Sequence, residues 1–134
     1  MTPPLTLYVD SQPLNTAADI LGMLSFQRLE VYQRSIEFFA HALEIIAELL
    51  SKGHADIADQ LRRAAQSQPL NIAEGAGRTS RPDVAKHYTI ARGSAMECAA
   101  VLDVMKTQGT IKPHQYDRGV DLLTSIVAML TKMI

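Results

Sequence analysis

The sequence predicts an all-α protein, an antiparallel up-down-up-down four-helix bundle. Apolar residues recur at alternating spacings of three and four in four segments, at about residues 25–51, 55–76, 81–108 and 113–133. The links between these segments are short and carry glycine, proline or an N-capping serine. No internal repeat and no sustained strand pattern competes with them. Four amphipathic helices of similar length joined by short links are typical of an antiparallel bundle.

Composition narrows the class of protein. A chain of 134 residues is long enough for one domain with a core. The formal net charge of -1 gives no bulk attraction to nucleic acid or membranes, so an anionic partner would need a local basic patch. The single cysteine, Cys98, cannot form an internal disulfide, which fits a reducing cytosol. With no positively charged targeting signal and no apolar run near the roughly 20 residues that span a bilayer, we expect a cytoplasmic protein.

Residues 1–24 differ in pattern from the rest of the chain. They contain Pro3, Pro4 and Pro13 and show no sustained period. This predicts an N-terminal arm or tail outside the bundle of residues 25–134. Alternating apolar residues over residues 5–9 allow a short extended piece within the arm.

The first and fourth predicted helices carry more apolar surface than a monomeric bundle needs, which is about three-sevenths of the circumference. On the first helix one seam comprises Leu29, Tyr32, Ile36, Phe39, Leu43, Ile46 and Leu50, and a second stripe comprises Val31, Phe38, Ala42, Ile45 and Leu49. The fourth helix has a seam of Tyr116, Val120, Leu123, Val127, Leu130 and Ile134, and a second stripe of Leu122, Ile126, Met129 and Met133. A broad core stripe is one interpretation. The other, which we favour, is that the second stripes meet another subunit through Val31, Phe38, Ile45, Leu49, Leu122, Ile126 and Met129.

The segment from residue 61 to 78 concentrates unusual residues. Pro69 interrupts a helical pattern that resumes after it, which predicts a kinked but continuous helix ending near Gly75 or Gly77. These two glycines follow a helix and no strand, so they do not indicate a phosphate-binding loop. They are expected to end the helix or to permit close backbone approach, with Gly93 on the third helix as the facing residue.

Polar residues gather on the second and third predicted helices. Arg63, Ser67, Asn71 and Glu74 share one stripe of the second helix, and Arg92, Ser94 and Glu97 form a cluster on the third. Consecutive antiparallel helices bring the two groups to one level of the bundle. One interpretation is an interhelical or intersubunit hydrogen-bond and ion-pair network that fixes register. The other is a basic surface that grips phosphates, made of Arg62, Arg63, Arg78, Arg81, Lys86 and Arg92. Both can hold, since different arginines can serve each.

Catalytic and metal sites are not indicated. The four histidines, His41, His54, His87 and His114, are never three or four residues apart, so surface positions are expected for them. Cys98 lies on the apolar seam of the third helix, where it packs as a small hydrophobe. An enzyme built on Glu74 and the neighbouring arginines would lack a nucleophile and a metal set. We therefore expect no enzymatic activity, no cofactor and no metal.

Several segments resemble one known family. They are QLRRA at residues 60–64, Ser67, Pro69, NIAEG at residues 71–75, Arg78, and ARGS at residues 91–94 with Glu97. Together with the FxxLxVY run that begins at Phe26, they resemble the signature of the bacterial four-helix-bundle family named for proteins encoded in intervening sequences of 23S rRNA genes. The resemblance covers roughly residues 26–134, and departs from the family pattern at Gln66 and Gln68, where apolar or small residues are usual.

The resemblance implies an antiparallel four-helix bundle that assembles as a ring-like homopentamer, with no enzymatic activity. It also implies kinship to the accessory proteins of diversity-generating retroelements, basic pentamers that bind nucleic acid and a reverse transcriptase. We therefore expect a homo-oligomeric binding or scaffold protein, with RNA or the ribosome held through a local patch of Arg62, Arg78, Arg81 and Lys86. The alternative is a protein-interaction adaptor that uses the apolar surface between protomers or the N-terminal arm. No membrane partner is expected.

Overall fold

The computed structural model describes residues 7–9, 12–14 and 24–134. Four helices make up most of it: α1 (Glu30–Ser51), α2 (Ala55–Ala76), α3 (Arg81–Gln108) and α4 (Pro113–Met133). Ahead of them, strand β1 (Leu7–Val9) pairs antiparallel with strand β2 (Gln12–Leu14). The all-α fold with four helices is thus confirmed for residues 24–134, and the extended piece is confirmed at residues 7–9. The second strand is an addition to the prediction, and the remaining residues of the predicted arm lie outside the described ones.

The first helix begins later than predicted. Ser25–Arg28 form a 3₁₀ turn, and Leu29 has an extended ψ of 127°, which separates that turn from α1. The second helix is continuous through Pro69 and ends at Ala76, as predicted, while the kink at Pro69 stays a prediction. None of the described helices combines the length and the apolar character needed to cross a bilayer.

The helix ends follow from local chemistry. Gly53 and Gly109 adopt positive φ angles of 81° and 73°, which glycine reaches at little cost just after a helix. At the start of α3, the Ser80 hydroxyl accepts a hydrogen bond from the Asp83 backbone N–H at 3.3 Å, the predicted N-cap.

Each helix packs against the next along the chain, and α1 also packs against α4. Between α1 and α4, His41 meets Gln115 while Glu48 meets the earlier residue Lys112, so residue numbers rise on one helix as they fall on the other. Between α3 and α4, Arg92 bonds Thr131 while Asp103 bonds Tyr116. This is the order of contacts between helices that run in opposite directions, so α1 and α3 both run opposite to α4.

The core corrects the predicted subunit interface. The second stripe of α1 and most of the second stripe of α4 are buried inside a single chain: Val31, Phe38, Ala42, Ile45 and Leu49, with Leu122 and Ile126. Met129 is partly buried and packs against the same core. Assigning Val31, Phe38, Ile45, Leu49, Leu122 and Ile126 to a partner subunit was therefore wrong, because these side chains already fill the interior between the four helices. The interface position of the partly buried Met129 stays a prediction.

Part of the predicted core seam of α1 faces solvent instead. Ile36, Leu43 and Leu50, which belong to the predicted core seam, keep 41%, 44% and 56% of their surface exposed. Ile46 of the same seam is buried, and Tyr32 and Phe39 pack against the core. Periodicity therefore identifies the apolar residues but not the edges of the buried surface, because a broad apolar stripe does not mark which side faces inward.

Candidate functional site

The polar stripes of α2 and α3 meet at two serines. Ser67 and Ser94 share a hydrogen bond between their hydroxyl oxygens at 2.8 Å, and both side chains are half-buried. Asn71 lies one turn further along α2 and donates from Nδ2 to the Ser67 hydroxyl at 3.0 Å and to the Ser67 carbonyl at 2.9 Å. One interhelical bond is therefore held in place by a second donor on α2.

The line of polar contacts continues towards the end of α2. Asn71 Oδ1 lies 3.4 Å from Nδ1 of His87 on α3, and Nε2 of His87 lies 3.9 Å from a Glu74 oxygen. Glu74 forms an ion pair of 2.6 Å with Arg78 one turn later. We call Ser67, Asn71, Glu74, His87 and Ser94 the polar line. His87 was not predicted as a member of the network, because a surface position was expected for it. Its spacing of seven residues from Ser94 nevertheless puts both side chains on one side of α3.

Three residues predicted for this network lie elsewhere. Arg63 is exposed and pairs with Asp59 on its own helix at 3.0 Å. The Nε–H of Arg92 donates to the Thr131 hydroxyl at 2.9 Å, so that arginine bridges α3 to α4 and not to α2. Glu97 is exposed on a shallow groove beside the two serines, and no described cation lies within ion-pairing distance. The long charged side chains thus lie outside the interface between α2 and α3, and the short polar side chains lie within it.

Close packing of the two helices explains the short polar contacts. Gly75 is buried against the ring of Tyr88, and a Cβ atom at position 75 would lie 2.8 Å from Tyr88 Cε1. Burial raises the pKa of the Tyr88 hydroxyl. The prediction that Gly93 faces this glycine is wrong, because Gly93 is exposed and a Cβ atom there would meet nothing within 4 Å.

A buried polar pair lies beside the polar line. Gln68 is fully buried and its Nε2 donates to Cys98 Sγ at 3.3 Å, while its Oε1 has no hydrogen-bond partner among the described residues. Burial raises the pKa of the Cys98 thiol to about 12. A thiol that holds its proton so tightly is unreactive at neutral pH, which agrees with the predicted packing role of Cys98.

A second polar cluster joins α1 to the start of α4. His41 is buried, and its Nε2 donates to the Gln115 carbonyl at 2.8 Å. Gln115 Nε2 donates to Glu48 Oε1 at 3.3 Å, and Lys112 Nζ lies 3.4 Å from the same oxygen. The Gln115 bond, ahead of Lys112, lowers the pKa of Glu48. The surface position expected for His41 is therefore wrong, while His54 and His114 are exposed.

The predicted arginine patch divides into two parts. Arg62 pairs with Asp59 at 2.8 Å, and its hydrogen bond is the main cause of the lowered pKa of Asp59. It stands 14 residues before the end of α2 at Ala76, about 21 Å at the α-helical rise. Arg62 therefore lies away from Arg78, Arg81 and Lys86 and does not extend their surface.

The other cations gather at one end of the bundle, where α2 and α4 end and α3 begins. Arg81 and Lys132 line a common cleft of about 420 Å³ there, and Lys86 is exposed just over one turn along α3. No described acidic side chain lies within ion-pairing distance of these three, whereas Arg78 is paired with Glu74. We call Arg78, Arg81, Lys86 and Lys132 the cationic end. Lys132 was missed because it is far from the others in sequence.

Metal-binding clusters do not form in the part of the chain that the structure describes. Within residues 7–9, 12–14 and 24–134, no group of three or more histidine, cysteine, aspartate or glutamate side chains converges to hold an ion. The chemistry that the site does offer is of two kinds: neutral hydrogen bonds that fix the register of α2 on α3, and free cations at one end.

Fold and site together define a class, a helical bundle held by short interhelical polar contacts. Residues 27–132 match the model of the family described as 23S rRNA-intervening sequence protein, and the chain belongs to that family. The resemblance carried by the NIAEG and ARGS segments is thus confirmed.

In structure, the chain is similar to a protein of unknown function from the S23 ribosomal protein family of Bacteroides thetaiotaomicron VPI-5482. The two share 25% sequence identity with a TM-score of 0.75, over 78% of this chain and 97% of that chain. No curated protein is significantly similar to the chain in sequence.

Proposed function

We propose that this protein is a non-enzymatic, cytoplasmic scaffold whose up-down-up-down bundles assemble as a homopentamer and hold RNA at the cationic end. The observation that carries the proposal is the group of Arg81, Lys86 and Lys132, three exposed cations without a described acidic partner. Cations that are not already neutralised are the ones that can release counterions from a phosphate backbone. The family takes its name from intervening sequences of 23S rRNA genes, which makes RNA the polyanion to test first.

Assembly would compensate for the small number of cations on each chain. The net charge of -1 means that one copy has no general attraction for nucleic acid. Copies that all point the same way would gather their cationic ends on one face of a ring. One RNA could then touch several ends at once, which raises the overall affinity through effective concentration without any new contact.

A scaffold role without catalysis fits the chemistry of the polar line. The hydroxyls of Ser67 and Ser94 bond to each other, and Asn71 also donates to Ser67, so neither serine has a base aligned to remove its proton. The thiol of Cys98 is buried and its pKa is raised to about 12. These groups serve the packing of α2 on α3.

RNA binding can be tested by fluorescence anisotropy with a labelled single-stranded RNA of about 20 nucleotides at several salt concentrations. We expect weak binding that falls steeply with salt. Arg81→Ala and Lys86→Ala should each weaken it, and each should lower the log–log salt slope by about 1 for every phosphate that is no longer neutralised. Arg62→Ala and Arg63→Ala are matched controls, because both arginines are paired with Asp59 and lie outside the cationic end.

Two outcomes would overturn the RNA proposal: no binding at low salt, or an equal weakening of binding in the cationic-end and control variants. The assembly is tested separately, by light scattering after size exclusion. A pentamer at micromolar concentration is expected, and a monomer would exclude the ring irrespective of the RNA result.

A further inference from the structure

The exposed stripe of α1 has the spacing of a coiled-coil seam. Ile36, Ala40, Leu43, Ala47 and Leu50 alternate at four and three residues, and all five are exposed. From Ile36 to Leu50 the stripe advances 14 residues, about 21 Å of helix. An isolated surface leucine needs no explanation, but a regular apolar row over two heptads is the surface of a helix that packs against something.

A groove of matching character lies on another face of the same chain, between α3 and α4. It has a volume of about 370 Å³ and an uncharged lining that includes Ala95, Met96, Ala99, Leu123, Thr124 and Val127. The Arg92–Thr131 hydrogen bond crosses one end, and the Tyr116–Asp103 hydrogen bond crosses the other. Between these bridges α4 advances 15 residues, about 22 Å, so the groove and the α1 stripe have nearly the same length.

We infer that the α1 stripe of one copy docks into the α3–α4 groove of the next copy, in a head-to-tail junction. The inference rests on the proposed homo-oligomer and identifies the two surfaces that build it. Because stripe and groove are different surfaces of one chain, the junction is heterologous and can be repeated from copy to copy. The two faces are not opposite each other, since α1 packs against α4, one wall of the groove. Each copy is therefore rotated relative to the copy before it, as closure into a ring requires.

Charge sets the direction of docking. Glu37 lies beside the stripe, six residues before its centre at Leu43, and also pairs with Arg34 of its own helix at 3.2 Å. With Leu43 centred in the groove and all copies pointing the same way, Glu37 reaches the level of Arg92 at one end of the groove. In the reversed direction it would reach the level of Asp103 and Asp117, two carboxylates against the single cation Lys106, which lies over the Tyr116 ring. Copies that point the same way are the arrangement of a cyclic ring.

Charge also disfavours the pairing of two stripes with each other. Glu37 and Glu44 lie seven residues apart on one side of the stripe. A two-fold axis that pairs the stripes in antiparallel fashion would put these glutamates of both copies on the same side of the junction. Like charges at such flanking positions select against that pairing.

The junction has a geometric consequence for the ring. Phe38 of α1 and Leu102 of α3 both lie against Gly119, so they mark one level of the bundle. Because α1 and α3 run in the same direction, Leu43, five residues after Phe38, is near the level of residue 107 of its own chain. In the junction the same Leu43 docks near residue 97 of the next chain. The offset of about ten residues is roughly 15 Å. A closed ring has no net offset, so each bundle must tilt relative to the ring axis.

The junction is tested with one charge on each surface and a control elsewhere. Leu43→Glu alters the stripe, and Ala128→Glu alters the rim of the groove on α4. Leu70→Glu is the matched control, because Leu70 is an apolar residue of α2 that is 58% exposed and outside both surfaces. By light scattering at micromolar concentration, Leu43→Glu and Ala128→Glu should each be monomeric with unchanged helical circular dichroism, and Leu70→Glu should keep the wild-type oligomer.

Mixing the two interface variants gives the decisive result. The Leu43→Glu chain retains an intact groove and the Ala128→Glu chain an intact stripe, so a 1:1 mixture should form a heterodimer and nothing larger. Dimers of either variant alone, or no heterodimer in the mixture, would overturn the head-to-tail junction. A charge exchange checks direction: Glu37→Arg and Arg92→Glu should each weaken assembly, and the double variant should recover it.

These outcomes separate the junction from the proposed assembly. If the wild-type protein is a monomer, the homo-oligomer itself fails. If the wild-type protein is an oligomer and both interface variants remain so, the oligomer stands and only the assignment of its surfaces fails.

Discussion

Gly75 of α2 lies directly against the ring of Tyr88 on α3, so close that a Cβ atom at position 75 would be 2.8 Å from Tyr88 Cε1. The same atom would lie 3.1 Å from Cβ of His87, a member of the polar line. The absence of one side chain therefore sets the distance between the two helices at this level, and the hydrogen bonds of the polar line depend on that distance.

Gly75→Ala is expected to destabilise the protein. The added methyl group must displace the Tyr88 ring or part the two helices, and overpacking of this kind costs about 1–3 kcal/mol of unfolding free energy. Chemical denaturation at a fixed protein concentration measures the change. Gly93→Ala is the matched control on α3: its Cβ would meet nothing within 4 Å, so better helix propensity should stabilise it by about 0.5–1 kcal/mol. Equal effects of the two substitutions would contradict the close approach.

The serine pair gives a second prediction, of energetic coupling across the helices. Ser67→Ala should cost more than Ser94→Ala, because Ser67 Oγ also accepts the Asn71 hydrogen bond. In a double-mutant cycle the pair should show a coupling energy of about 0.5–1 kcal/mol. Additive effects of the two substitutions would mean that the 2.8 Å contact is energetically neutral. Ser51→Ala at the exposed end of α1 is a control for the loss of a hydroxyl that bonds within its own helix, to the Glu48 carbonyl.

The sequence predicted the bounds of the helices better than the faces by which they pack against each other. Helical spacing located all four helices and their ends at residues 51, 76, 108 and 133, because the caps at Gly53 and Ser80 are local signals. It could not decide which of two apolar stripes on α1 faces the core. That choice depends on where α2 and α4 pack against α1, which is not contained in the periodicity of one helix.

The candidate site shows the same division. Helical spacing placed Ser67 and Asn71 on one stripe of α2 and predicted that they lie at the level of Ser94. The prediction succeeded for these residues because a short side chain can contact only the residues directly opposite it. Arg63 and Arg92 failed as network members because a long side chain can turn to a partner on its own helix or on a third one. Lys132 joins Arg81 only through the packing of α4 against the start of α3, a tertiary contact without a sequence signal.

The fully buried Gln68 leads to a third prediction, a gain in stability on substitution. Its Oε1 has no hydrogen-bond partner among the described residues, and an unsatisfied buried polar atom costs about 1–3 kcal/mol. Methionine has a similar length and no such requirement, so Gln68→Met should raise the unfolding free energy by about 1 kcal/mol after the loss of the weak bond to Cys98. Gln66→Met is the control, since Gln66 is exposed and should change stability by less than about 0.5 kcal/mol. A loss of stability in Gln68→Met would show that the amide is satisfied in solution.

The last prediction concerns alkaline pH. Burial raises the pKa of the Cys98 thiol from 9.0 to about 12, so the folded protein holds this proton in a range where the unfolded chain has released it. The contribution of Cys98 to stability is therefore complete below about pH 9 and is lost as pH rises from 9 to about 12. Linkage gives a loss of about 1.4 kcal/mol for each pH unit within that interval.

Urea unfolding of the wild type and of Cys98→Ala at about pH 8 and about pH 10.5, on either side of the unfolded-state pKa, measures this loss. Cys98→Ala has a lower stability at the lower pH because it leaves a small cavity, but its stability should fall less between the two pH values. The buried Tyr88, whose pKa is also raised, is common to both proteins and cancels in the difference. The native thiol should also react with a thiol reagent at about pH 8 only after unfolding, because its thiolate fraction is negligible there. Rapid labelling of the native protein, or an equal fall in the stability of the two proteins, would place Cys98 in contact with solvent and remove it from the core between α2 and α3.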